Sequence, residues 1–147
     1  MKKFVFTLQA VNDIALATEK QLKLDMQRIE ERLQRVLKDI ADTQQELRAS
    51  KERCVHKMRT EGIDSETLLQ YSHYFEKLHA ILQVLHQNKS QIEREKQLCL
   101  QAQIENRKEL KTHEKLREKQ YEAYLQELKR EEEKTVGDLV AYRSTLQ

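Results

Sequence analysis

The sequence predicts an all-α protein, a long antiparallel two-helix coiled-coil hairpin. Its 147 residues suffice for one domain and include no proline and only two glycines, the residues that most often form turns. Hydrophobic residues make up 38% of the chain and charged residues 35%. This balance is too polar for a thick globular core but suits a narrow apolar interface between helices.

Charge and hydropathy exclude several classes of partner. The 27 basic and 25 acidic residues are interspersed, and no basic block predicts binding to nucleic acid or to an anionic membrane. No segment approaches the roughly 20 apolar residues of a membrane span. Polar residues from Thr7 onward interrupt the opening MKKFVFTLQAV, which is therefore a poor secretory signal. We expect a cytoplasmic protein.

The stretch TEGIDSETLL contains the central turn. Gly62 can close one helix in the left-handed conformation, and Asp64 or Ser65 can cap the next. The alternative is one continuous helix with a tolerated glycine. With this turn, we predict a single hairpin domain over 1–147. Its helices span about 3–61 and 65–136, joined by a turn at about 62–64 and followed by a partly ordered tail at 137–147.

Apolar positions on both arms alternate spacings of three and four, the a and d positions of a heptad seam. Folding at Gly62 pairs Leu47 with Leu78 and Leu33 with Ile92, although a slip of one heptad is an alternative register. The first arm contributes Met26, Ile29, Leu33, Val36, Ile40, Thr43, Leu47, Ser50 and Cys54. The second contributes Tyr71, Phe75, Leu78, Leu82, Leu85, Lys89, Ile92, Lys96 and Cys99.

The opening segment is compatible with a signal, a strand or a helix. A strand lacks a second strand to pair with, so we interpret the segment as the start of the first helix. The seam then continues outward and brings Phe4 and Leu8 near Arg117 and Tyr121. Its predicted members in this part are Phe4, Leu8, Val11, Ala15 and Leu22.

No constellation of catalytic or metal-binding residues is present. Cys54 and Cys99 would lie about 28 residues apart along the hairpin, or roughly 40 Å, too far for a disulfide, so we expect free thiols that pack as small hydrophobic residues. Two isolated glycines cannot form a phosphate-binding loop. We therefore predict no enzyme, no cofactor and no metal.

Two groups of apolar residues exceed what the seam requires, and such surface often marks an interaction site. The alternative is that these residues bury one another or a second copy of the hairpin. One group follows the turn: Tyr74, Leu78, Ile81 and Leu85. The other lies at the open end: Phe4, Phe6, Leu8, Tyr121, Tyr124 and Leu125.

The start Phe4-Val5-Phe6-Thr7-Leu8, the proline-free hairpin pattern and the turn Gly62-Ile63 followed by Leu68-Leu69-Gln70-Tyr71 resemble the flagellar FliJ family over nearly the whole chain. The resemblance implies a soluble subunit of the flagellar type III export apparatus, which stands as a central stalk in the hexameric export ATPase. It also implies contacts with the export gate membrane protein and with export chaperones, at the inner face of the cell membrane.

Carried onto this chain, the resemblance assigns the open-end group to the ATPase ring and the group after the turn to the export gate. It implies a monomer or weak self-association. Two other functions remain as alternatives. A homodimeric coiled-coil scaffold would bury Tyr74 and Ile81 in its dimer, and a holding chaperone would grip client peptides with its aromatic ends.

Overall fold

A computed structural model describes residues 2–146 and contains two helices, α1 (Gln9–Thr60) and α2 (Ser65–Thr145). The helices pack against each other, and no strand occurs within 2–146, which confirms the all-α helical hairpin. Two compact units are distinguished, one over Leu22–Ala102 and one that combines residues 2–21 with 103–146.

The turn forms where the sequence predicts it. Gly62 adopts a φ of 77°, a left-handed conformation that glycine reaches without a steric penalty. The amide groups of Glu61 and Gly62 both donate to the carbonyl of Lys57 at 3.0 Å, which closes α1. Asp64 caps α2, since its Oδ1 accepts from the amide of Thr67 at 2.9 Å. Hydrogen bonds from the side chain and the backbone of Thr67 hold the pKa of Asp64 below its ordinary value.

In the unit Leu22–Ala102, every predicted a and d residue is buried or half-buried, so the seam is confirmed. Polar contacts on its flanks agree with the predicted register. Arg32 forms an ion pair with Glu95 beside the Leu33–Ile92 layer, and the hydroxyl of Tyr74 donates to Glu46 beside the Leu47–Leu78 layer. Cys54 and Cys99 are buried, free thiols.

The prediction for the chain opening is wrong in one respect. Helix α1 begins at Gln9, whereas residues 2–6 are non-helical and form an arm on α2. Aromatic and β-branched residues from Phe4 to Thr7 form helix weakly, and in extended backbone their alternation places Phe4 and Phe6 on one side. The predicted proximity of Phe4 to Arg117 and Tyr121 is confirmed.

Because α1 starts later than predicted, its first turns contribute different residues to the seam. Val11, predicted to lie on the seam, is exposed, and the inward-facing positions are Asn12, Ala15, Glu19 and Leu22. The prediction is wrong for Val11, because it assumes one continuous helix from Phe4, whereas the other predicted members, Phe4, Leu8, Ala15 and Leu22, are buried or half-buried. The facing side of α2 is also polar: Asn106 is buried, and its Nδ2 donates to the carbonyl of Ala15 at 3.0 Å.

The end predicted for the second helix also differs. Helix α2 continues through Gly137 to Thr145 rather than stopping near 136. A lone glycine inside a helix costs only about 1 kcal/mol relative to alanine, and no proline or capping residue follows it to end the helix. The terminal positions of the predicted domain, 1 and 147, lie outside the described residues.

Candidate functional site

The first candidate surface is the Tyr74 stripe, defined as Tyr74, Leu78, Ile81 and Leu85 on α2 in the unit Leu22–Ala102. Tyr74 and Ile81 are 38% and 39% exposed, whereas Leu78 is buried in the seam and Leu85 is half-buried. The stripe therefore presents two apolar side chains to a partner. Leu78 holds the helix that carries them against α1.

A polar network fixes the orientation of Tyr74. Its hydroxyl donates to Oε1 of Glu46 at 2.9 Å, and the same oxygen accepts from Nη2 of Arg53 at 2.8 Å. The hydrogen bond from Arg53, and then the one from Tyr74, lowers the pKa of Glu46, while the bond to Glu46 raises the pKa of Tyr74. The tyrosine is thus tied through its hydroxyl to α1 while 38% of the residue stays exposed.

Sequence reasoning missed Val84 beside this stripe. It is exposed and lies three residues after Ile81, so the two side chains are neighbours on one helix face. The signal was present, because Val84 is an apolar residue off the heptad seam. The Glu46–Arg53 pair could not be recognised in the same way, since its role depends on where Tyr74 lies.

The second candidate surface is the arm cluster, defined as Phe4, Phe6, Leu8, Tyr121, Tyr124 and Leu125. The ring of Phe4 meets Tyr121 edge-on at 5.1 Å between centroids and Tyr124 at 5.6 Å. The guanidinium carbon of Arg117 lies 5.9 Å from the centre of the Phe4 ring, within cation–π range. The structure therefore brings these aromatic residues together.

Members of the arm cluster differ in accessibility. Phe6 is only 5% exposed, and Phe4, Leu8 and Tyr124 are half-buried. Tyr121 and Leu125 are 46% and 45% exposed. A partner that leaves the arm in place can therefore contact Tyr121 and Leu125 directly, whereas Phe6 acts as an anchor for the arm.

Further along α2, apolar side chains lie exposed on the last turns, and the sequence analysis did not assign them a role. Their helical spacing is visible in the sequence, but four of the five lie in the segment 137–147, which was expected to be partly ordered. They are Val136, Leu139, Val140, Tyr142 and Leu146.

Among residues 2–146, no three His, Cys, Asp or Glu side chains gather in an arrangement that could bind a metal ion. Over the same range, neither helix contains a stretch that is apolar over the length needed to cross a membrane.

Comparison with known proteins identifies one family. The family model described as "Flagellar FliJ protein" matches residues 4–145, which include both candidate surfaces. No curated protein and no solved structure matches the chain.

Proposed function

Because the chain belongs to the flagellar FliJ family and is a component of the flagellar export apparatus, we propose that it is the non-catalytic central stalk of the export ATPase ring. In this role it links the ring to the export gate membrane protein and to export chaperones. It works in the cytoplasm, peripherally associated with the inner face of the cell membrane, as a monomer or a weakly associating chain.

The observation that carries this proposal is the exposure of Tyr121 and Leu125 beside the docked arm in a member of this family. Tyrosine is enriched at interface hot spots because its ring buries a large area with little loss of side-chain freedom. We assign the arm cluster to the ATPase ring, with Tyr121 and Leu125 as direct contacts. Phe4 and Phe6 act through the packing of the arm.

We assign the Tyr74 stripe to the export gate. Tyr74 and Ile81 form its accessible part, Val84 extends it, and the bond from Tyr74 to Glu46 presents the ring in a fixed orientation. A preoriented side chain loses less entropy on binding. Leu78 and Leu85 support the stripe from within the seam.

The stalk role is tested by titrating the export ATPase from the same genome with the full chain and measuring ATP hydrolysis. We expect stimulation by the wild type, loss of stimulation by Tyr121→Ala/Leu125→Ala, and retention by the control Leu69→Ala. Leu69 is exposed and lies outside both candidate surfaces. Absence of stimulation by the wild type at saturation would refute the stalk role and favour a scaffold.

The gate assignment is tested by calorimetric titration of the cytoplasmic part of the export gate protein. Tyr74→Ala/Ile81→Ala should weaken binding at least tenfold, about 1.4 kcal/mol, while Leu69→Ala should bind as the wild type does. A stable homodimer that hides Tyr74 from this partner would instead support the scaffold function. Unchanged affinity of the double variant would remove the stripe from the gate interface.

A further inference from the structure

The arm, residues 2–6, is held by a small set of side chains on α2 that all belong to one unit. Phe6 is buried, and Phe4 packs on Tyr121 and Tyr124. Next to the arm, Gln120 exchanges hydrogen bonds with Thr7: its Oε1 accepts from the Thr7 amide at 3.3 Å, and its Nε2 donates to the Thr7 hydroxyl at 2.9 Å. This face of α2 thus contacts the ring of Phe4 directly, and the ring of Phe6, two residues on, lies in a groove that residues of α1 and α2 line together.

Recognition also includes the main chain. The hydroxyl of Tyr124 donates to the carbonyl of Lys2 at 2.8 Å, so side chains of α2 hold one backbone acceptor and one backbone donor of the segment. The alternate residues Lys3 and Val5 are exposed, Val5 by 75%. Contacts of this kind select an extended conformation and the spacing of the aromatic residues, and they leave the intervening side chains free.

The arm leaves one buried polar atom beside it without a hydrogen-bond partner. His113 is 9% exposed, and in the part of the chain that the structure describes its Nδ1 atom is buried without a hydrogen-bond partner. Phe6 and His113 line one groove of about 330 Å³ together with Asn12 and Leu16. Buried polar atoms in proteins are nearly always paired, so an occupant that brings a hydrogen-bonding group would pair this nitrogen.

Side chains of α2, rather than its backbone, hold the arm. Within residues 2–146, no hydrogen bond joins a backbone group of the arm to a backbone group of α2, and Thr7 and Leu8 connect the arm to the start of α1. The apolar surface also extends beyond the arm to the exposed Leu125. A longer extended segment could therefore make every contact of the arm and add further ones.

We propose that the face of α2 from His113 to Tyr124 is a binding site for an extended segment of a partner protein with aromatic side chains at positions i and i+2, which the arm occupies in cis and blocks. The site does not depend on the proposed stalk role. Because the arm is tethered, its effective concentration is in the millimolar range. A free segment that binds the site as tightly as the arm does must reach a comparable concentration to displace it, so the wild type is autoinhibited.

How strongly the docked arm weakens the binding of another segment depends on the fraction of molecules in which the site is empty. If the arm is docked in about 29 molecules of 30, the apparent affinity for a competing segment is about thirtyfold weaker than for an empty site. The probe is a fluorescein-labelled peptide with the sequence of residues 2–8, KKFVFTL. Its fluorescence anisotropy is followed while the full-length protein is titrated.

We expect Phe4→Ala/Phe6→Ala, whose arm cannot dock, to bind the peptide at least tenfold more tightly than the wild type. The control Val5→Ala should behave as the wild type does. Adding Gln120→Ala/Tyr124→Phe to the double variant should weaken binding again, and the peptide KKAVATL should not bind. Helicity measured by circular dichroism checks that each variant is folded. If the double variant unfolds, the single variant Phe4→Ala, which keeps the buried Phe6, replaces it in the titration.

Equal dissociation constants for the wild type and the arm variants, or no binding by any of them up to about 1 mM protein, would overturn the proposal. Sedimentation of the unlabelled proteins provides a separate check. A concentration-dependent dimer of the wild type that disappears in Phe4→Ala/Phe6→Ala would mean that copies exchange their arms, which would overturn the assignment to a partner protein.

Discussion

Replacing Phe6 by alanine tests whether the arm contributes to stability as a docked element. Burying a phenylalanine side chain is worth about 1.5–3 kcal/mol, and Phe6 is almost fully buried. Phe→Ala in a closed core costs about 3–5 kcal/mol because a cavity remains. Here the arm can undock and leave the helices packed, so the loss is limited to the docking free energy. We expect Phe6→Ala to lower the free energy of unfolding by about 2 kcal/mol.

The assay is urea unfolding followed by circular dichroism at 222 nm, with the amide resonance of Thr7 as a local probe of docking. Val5→Ala is the matched control, because Val5 neighbours Phe6 and is mostly exposed, and its effect should stay within about 0.5 kcal/mol. Equal stability of the two variants would refute the docked arm. A loss well above 3 kcal/mol would show instead that Phe6 belongs to a core that cannot relax.

Three further predictions concern the seam, the cap and the buried polar contact. Ile92→Ala should lower the unfolding free energy by about 2–5 kcal/mol in the same urea titration, since Ile92 is buried in a confirmed seam position. Asn106→Ala should cost about 1 kcal/mol through its lost bond to Ala15, and no change would exclude a stabilising role for that bond. The pKa of Asp64 is lowered in the folded state, so its contribution is present above its ordinary value of 3.8 and lost as pH falls through the lower folded value. The urea midpoint of Asp64→Asn should therefore lie below that of the wild type at pH 7 and approach it as the pH falls below 3.8, and a constant difference would contradict this linkage.

Several features were predictable because they depend on neighbours in sequence. The turn rests on Gly62 and Asp64, which act through their own backbone angle and one local hydrogen bond. Seam positions from Met26 to Cys54 follow from the heptad spacing alone. The two candidate surfaces were also found as excess apolar residues, although sequence could not distinguish the exposed Tyr121 from the buried Phe6.

The sequence by itself determined the two helices, the turn and the register in Leu22–Ala102, because helix propensity, capping and a period of 3.5 residues are short-range properties. Only the tertiary structure decided the conformation of the arm. The alternation of Phe4 and Phe6 is compatible with several conformations until Tyr121 and Tyr124 provide a surface for Phe4 and the groove beside His113 takes up Phe6. It likewise decided the polar seam of Ala15, Asn106 and His113, since burial of a polar side chain depends on what the facing helix brings to it.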